Sequence, residues 1–181
     1  MVRWAAAKGV GRLTERLPQI AGDDVLDAIL GLFEDPEKEN NWHGACLTLA
    51  ELARRGLLLP GRLEEVIPLV VTAIHVRTIC CRKPYPKEFN PILHVLCAYQ
   101  YDVPRRQTSV GAHVRDSACY TFWAISRAYS PEVLKPFVKS IAQAIVTAFL
   151  FDREVNCRRA ASAAFQELVG RQRATVSLYM A

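Results

Sequence analysis

Four side chains in the middle of the chain are of types that hold metal ions: Cys80, Cys81, His94 and Cys97. Zinc takes thiolate and imidazole ligands in a tetrahedron, normally from paired motifs of the CxxC kind. Here the cysteine pair is adjacent and His94 stands in a loose HxxC, so free cysteines in an irregular stretch are the simpler reading. No metal and no cofactor are expected. The other histidines, His43, His75 and His113, are scattered and sit in no catalytic motif. The glycines of KGVGR lie inside a helical pattern, which fits close helix packing better than a phosphate loop. Nothing here points to an enzyme.

Three arginines carry a sharper signal. Arg3, Arg115 and Arg158 stand at the same position of recurring segments and form a candidate protein-binding set. A ladder of guanidiniums suits an acidic protein surface. The plainer alternative is that each arginine pairs with an acid or carbonyl of its own inter-helix turn, with Asp116 and Asp152 at hand, and this is favoured for any one of them. The run RAAS, Arg159 to Ser162, matches a basophilic kinase pattern. If residues 161, 164, 165 and 168 face the core, Ser162 flanks a packed helix and a kinase cannot thread it. Trp4, Trp42, Phe122 and Trp123 fall at helical spacing and are expected in the inter-repeat core rather than on a base-stacking platform.

The elements that position these residues repeat. VRWAAAKGVGRL from residue 2, NWHGACLTLAEL from 41, VRDSACYTFWAI from 114 and CRRAASAAFQEL from 157 share a pattern. The fifth residue is Ala in each (Ala6, Ala45, Ala118, Ala161). The eighth is small, the ninth larger and apolar, and the twelfth Leu or Ile. Positions 5, 8, 9 and 12 make one helical face. Small contact residues let helices approach closely, and Ala also has the best helix propensity. The starts are separated by 39, 73 and 43 residues, and two of these spacings lie close to the ~40–47 of HEAT and armadillo repeats. Partner helices are expected over 23–35, 62–74 and 131–152, the last with Ser130 as N-cap, Pro131 in its first turn and a kink at Pro136. Turns fall at DPEKEN (35–40) and RGLLLPGR (55–62).

The fold expected is therefore all-α, a HEAT/armadillo-type superhelix of antiparallel helix pairs. Its parts are repeats over 1–76, an irregular basic Pro- and Cys-containing insert over 77–106, repeats over 107–172 and a tail over 173–181. The insert accounts for the long 73-residue spacing, with one short helix expected over PILHVLCAY. The first helix lacks a preceding partner, so the chain reads as a piece of a longer solenoid with an apolar, adhesive N-terminal face.

Composition agrees. Hydrophobic residues make up 51% of the 181, too many for intrinsic disorder. The chain shows no signal peptide and no apolar run long enough for a bilayer, so a soluble intracellular protein is expected. The net charge is +5. Residues 77–106 hold six basic groups against Glu88 and Asp102, so four of those five charges belong to one segment. That concentration argues against a nucleic-acid footprint. Cys46, Cys119 and Cys157 lie in helical patterns, and the six cysteines match no disulfide framework.

Five runs, VRWAAAKGVGRLTERLP, WHGACLTLAELARRGLLLP, SVGAHVRDSACYTFWAISRAY, LKPFVKSIAQAI and FDREVNCRRAASAAFQELVGRQ, together closely resemble the tubulin-folding cofactor D family, the tubulin-specific chaperones D. The resemblance covers roughly residues 2–76 and 101–172. It implies a solenoid that captures β-tubulin and, with the other tubulin-folding cofactors, assists assembly and disassembly of the αβ-tubulin heterodimer. It further implies a part in stimulating GTP hydrolysis by tubulin, association with a small Arf-like GTPase, and a place in the cytoplasm and microtubule cytoskeleton. Residues 77–100 and the tail RATVSLYMA look foreign to the family pattern, as in a variant transcript. The family supplies no catalytic motif here. The alternatives from the residues alone are a generic HEAT-repeat scaffold with no tubulin role, and a zinc module centred on residues 80–97.

Overall fold

Small residues set how closely these helices approach, and breakers set where they stop. The computed structural model describes residues 2–34, 39–75, 104–105, 108–109 and 111–172. Helix α1 (Val2–Thr14) is followed by α2 (Gln19–Gly31), α3 (Glu39–Arg54), a 3-10 turn (Pro60–Arg62) and α4 (Leu63–Ile74). A two-residue antiparallel bridge, β1 (Pro104–Arg105) with β2 (Thr108–Ser109), precedes α5 (Ala112–Ala128). A single turn, α6 (Pro131–Leu134), then leads to α7 (Val138–Phe151) and α8 (Val155–Arg171).

The helices form two layers. Helices α1, α3, α5 and α8 lie side by side in that order as an inner layer. Their pairing is parallel. Arg3 meets His43 near the starts of α1 and α3, and Glu15 meets Arg55 beyond their ends. Cys157 donates to the Ala112 carbonyl at the starts of α8 and α5, while Arg127 approaches Glu167 near their ends. Helices α2, α4 and α7 form the outer layer, so each pair is antiparallel, as in a HEAT/armadillo-type solenoid.

The core runs between the layers. Leu49, Phe122, Ile125, Ile67, Ile145 and Leu168 are wholly buried there. Helix α3 ends in a Schellman turn: the Leu57 N–H reaches the Leu52 carbonyl, and the Gly56 N–H reaches that of Ala53. Gly56 has φ +70°, open to glycine at no steric cost. Gly111 has φ +85° and sets the entry into α5 in the same way.

Three features differ from the sequence expectation. Helix 131–152 is not one kinked rod but α6 and α7, because a proline at 136 removes an N–H and clashes with the preceding turn. Ser130 occupies the N-cap position of α6, but its hydroxyl makes no capping bond. Helix α1 is rotated by one residue relative to its repeat partners. Its buried face is Ala7, Gly11 and Thr14, whereas Ala6 and Leu13 are exposed. The expected face does hold in α3 and α5. In α8, Ala161, Ala164 and Leu168 are buried and Phe165 is half-buried. Gly11 explains the rotation: a Cβ there would lie 3.0 Å from Arg55 Nε and 3.4 Å from Glu51 Cβ, while Gly9 has open space.

The expected helix over residues 91–99 and the cluster Cys80, Cys81, His94 and Cys97 lie outside the described residues, as do most of 77–106 and the whole of 173–181. Apolar side chains are exposed along α1 and α2, with Val2 at 83% and Ile20 at 81%. A second group, Phe149, Leu150, Phe151 and Val155, is exposed at the other end of the solenoid.

Candidate functional site

The inner layer presents a groove of about 970 Å³ across α1, α3, α5 and α8. Each helix contributes one stripe. Helix α1 gives Arg3 and Trp4, and α3 gives His43 and Leu47. Helix α5 gives His113, Asp116, Tyr120 and Trp123, and α8 gives Ala160 and Ala163. The alanines keep the α8 wall low, so the aromatic side chains of α1 and α5 stand open.

Those aromatics form a row. The Trp4 ring lies 5.3 Å from Tyr120, and Tyr120 stacks on Trp123 at 5.7 Å, centroid to centroid. A cation sits over each end: Lys8 Nζ is 5.0 Å from the Trp4 ring, and the Arg127 guanidinium is 5.0 Å from the Trp123 ring. Such contacts contribute about 0.5–1 kcal/mol at exposed sites and hold a flexible cation in place. Arg54 donates to the Tyr120 hydroxyl at 3.0 Å and fixes the middle ring. Among the expected core aromatics, Trp42 and Phe122 are buried as foreseen. Trp4 and Trp123 are only half-buried. Inward positions 118, 121, 122 and 125 turn residue 123 about 100° away from the core.

One rim of the groove carries an imidazole pair. His43 and His113 stack at 5.7 Å, and Arg3 Nη1 lies 3.0 Å from His43 Nδ1. Arginine only donates, so Nδ1 of His43 accepts and its proton sits on Nε2. Burial, then Arg3, then His113 lower the His43 pKa from 6.5 to about 4. Asp116 is shifted upward by burial, against the pull of His113.

The three candidate arginines are not brought together. Arg115 is 2% exposed and is bound through Nε to Asp152 Oδ2 at 2.7 Å and through Nη2 to Oδ1 at 3.2 Å. That bidentate pair removes Arg115 from any surface. Asp152 also accepts the Glu154 N–H at 2.9 Å, and its carbonyl accepts Arg158 at 2.7 Å. Arg158 bonds the Arg153 carbonyl as well, so it closes the α7–α8 turn. Arg3 alone faces the groove, bonded to His43 and to Asn40. Lys8, Tyr120 and Arg127 were missed by the sequence reading. Their signal was the stripe Trp4/Lys8 at i, i+4 and Tyr120/Trp123/Arg127 at i, i+3, i+7.

The described cysteines are buried and away from the groove lining. The thiols of Cys46 and Cys157 are pushed up to about 12 by burial, and burial also raises that of Cys119 well above its ordinary value. Among the described residues, no group of three or more His, Cys, Asp or Glu could hold a metal ion. None of the described helices is long and apolar enough to cross a membrane.

The site is thus an open aromatic row on the inner layer of a helical repeat. The comparisons with known proteins agree in kind. The family described as tubulin-specific chaperone D-like, with ARM repeats, matches residues 1–82 and 85–177. The chain belongs to this family. It is 41% identical over 181 residues to a Dictyostelium discoideum protein named tubulin-specific chaperone D, covering 97% of this chain and 10% of that protein. It is 30% identical over 184 residues to a Schizosaccharomyces pombe protein named tubulin-folding cofactor D, covering 94% of this chain and 14% of that one. The chain thus spans about a tenth and a seventh of these two relatives' lengths. No solved structure gives a significant match.

The tubulin-specific chaperone D-like match also corrects one expectation. It covers residues 77–82 and 85–100 and runs on to 177, so most of the segment that looks foreign in sequence and the first five residues of the tail are within the family match, while 178–181 lie beyond it. The resemblance at 77–100 is masked by composition: prolines, cysteines and basic residues replace the repeat's small-residue pattern there.

Proposed function

We propose that the chain is a non-enzymatic, protein-holding segment of a tubulin-folding cofactor, and that it contributes to capture of β-tubulin on the inner-layer groove. Capture assists assembly and disassembly of the αβ-tubulin heterodimer together with the other cofactors. A share in activating tubulin's GTPase, association with a small Arf-like GTPase and a place in the cytoplasm at the microtubule cytoskeleton belong to the same reading.

The observation that supports it most is the open row Trp4, Tyr120 and Trp123 on the inner layer of a chain matched over nearly its whole length by this family. Aromatics on a rigid scaffold are the side chains that most often dominate protein interfaces. Their ring faces bury area at small entropic cost, and the partner need not be ordered by catalysis. Arg3 is the member of the arginine set that fits this reading, because it lines the groove. Arg115 and Arg158 fit it as the residues that keep α5 and α8 in register beneath it.

The test is capture of purified β-tubulin by the full chain, compared with Trp4→Ala and Trp123→Ala. Each variant should weaken capture by about tenfold or more, the range of an interface hot spot, with an unchanged melting curve. Full capture by a folded double variant would remove the groove from the reading.

A further inference from the structure

We infer that the groove is built for an extended acidic polypeptide segment, with apolar side chains at alternate positions on the ring row and carboxylates on Arg3, Lys8 and Arg127. The inference rests on the groove being a protein-holding surface, and adds the chemical class of what it holds.

The charges come first. Among the described residues, neither Arg3 nor Lys8 has a carboxylate partner; Arg3 bonds an imidazole and an amide, and Lys8 sits on a ring. Arg127 is 3.8 Å from Glu167, but Glu167 is taken at 2.7 Å by Arg171. Of the other charges on this face, Arg54 and Glu51 neutralise one another at 3.0 Å. Asp116 is the one carboxylate among the lining residues. Arg3 and Asp116 balance within the lining, and the excess comes from its flanks: Lys8, Arg127 and Arg171 stand against Glu167 alone, which leaves this face positive, attracts an acidic chain and steers its approach.

The rings supply the register. Their centroids are 5.3 and 5.7 Å apart. An extended chain advances about 6–7 Å per two residues, so alternate side chains meet successive rings while the intervening ones point to the rims. Lys8 and Arg127 already cover faces of the outer two rings. Base stacking needs those faces free, so a nucleic-acid strand fits worse than carboxylates that bond the cations where they lie. The cations are also held in place before binding, which lowers the ordering cost.

The experiment uses the full chain and a fluorescein-labelled peptide alternating Glu and Phe, read by fluorescence anisotropy. Companion probes replace Glu by Gln or by Lys, and a single-stranded oligothymidylate is the fourth. The Glu peptide should bind, and more weakly as salt rises. The Gln peptide should lose about tenfold or more in affinity, and the Lys peptide and oligothymidylate should bind weaker still. Arg3→Glu with Lys8→Glu should cost the Glu peptide about tenfold or more, while Arg16→Glu, outside the groove, should change nothing. If the double reversal does not fold, Lys8→Gln with an intact melting curve serves, with a smaller loss expected. Equal binding of the Glu and Gln peptides, or tighter binding of oligothymidylate, overturns the inference. Tubulin captured by a chain that ignores the Glu peptide also overturns it and leaves the proposed function standing. A Glu peptide that binds through Arg3 and Lys8 yet never displaces tubulin upholds the inference and removes tubulin from this groove.

Discussion

The α1–α3 junction and the α5–α8 junction are built to the same plan and end in opposite chemistry. In both, the arginine at the second repeat position reaches toward the segment that opens the next inner helix. Arg115 meets the carboxylate of Asp152 and is sealed beneath the surface with it. Arg3 meets the amide of Asn40 and the ring of His43, and stays exposed. The position within the repeat decides where the guanidinium points. The residue waiting at the turn decides whether it becomes part of the interior or part of a binding face.

The sharpest way to break that contrast is to empty the buried junction. Asp152→Ala leaves Arg115 charged and unpaired in the interior and should cost about 3–5 kcal/mol in urea unfolding. The double replacement Arg115→Met with Asp152→Leu should recover much of this, since an apolar pair of similar volume is often neutral. Recovery will be incomplete because the Glu154 N–H loses its acceptor. A mild Asp152→Ala, no worse than a surface change, would end the distinction between the junctions.

The seams beneath the two arginines should differ next. Ala161 is fully buried between α8 and its neighbours, so Ala161→Leu should overpack and cost about 1–3 kcal/mol in thermal unfolding. Its repeat counterpart Ala6 is exposed, and Ala6→Leu should stay within about 0.5 kcal/mol. Equal costs would mean that α1 is not rotated.

The smallest effects belong to the exposed junction. Arg3→Ala should change stability by less than about 1 kcal/mol, as for other exposed polar contacts. It should still be visible at His43. With a folded pKa of about 4 against the usual 6.5, His43 is held neutral in the fold, so its contribution is complete above pH 6.5 and is lost as pH falls toward 4. Removing Arg3 should move the His43 midpoint upward in an NMR titration and flatten that acid-side loss. An unmoved midpoint would mean that burial and His113 set it without Arg3.

The repeat plan was readable because Ala recurs at the fifth position with larger apolar residues three, four and seven places on. Three of the four faces followed. The first did not, because Ala5, Ala6 and Ala7, and Gly9 and Gly11, offer small residues on two neighbouring faces. Residue type cannot choose between them; the bulk of Glu51 on α3 and of Arg55 just past its end does. The arginine register was readable too, including Asp152 as a candidate partner. Its depth was not, since burial depends on how α7 and α8 close over α5. The aromatic row escaped notice because Trp4 lies on α1 while Tyr120 and Trp123 lie on α5, more than a hundred residues later. Only the layer order places α1 near α5.

Asp152 has a consequence for how the molecule comes apart. It joins α5, the end of α7 and the start of α8 through one side chain and one carbonyl. The α1–α2 pair buries only a few side chains, and its ion pairs to the rest, Arg55 with Glu15 and Arg62 with Asp27, are exposed. In a stack where each unit couples only to its neighbours, the weakest coupling opens first. Amide hydrogens of α1 and α2 should therefore exchange through local opening, while those of α5, α7 and α8 wait for a shared, larger event.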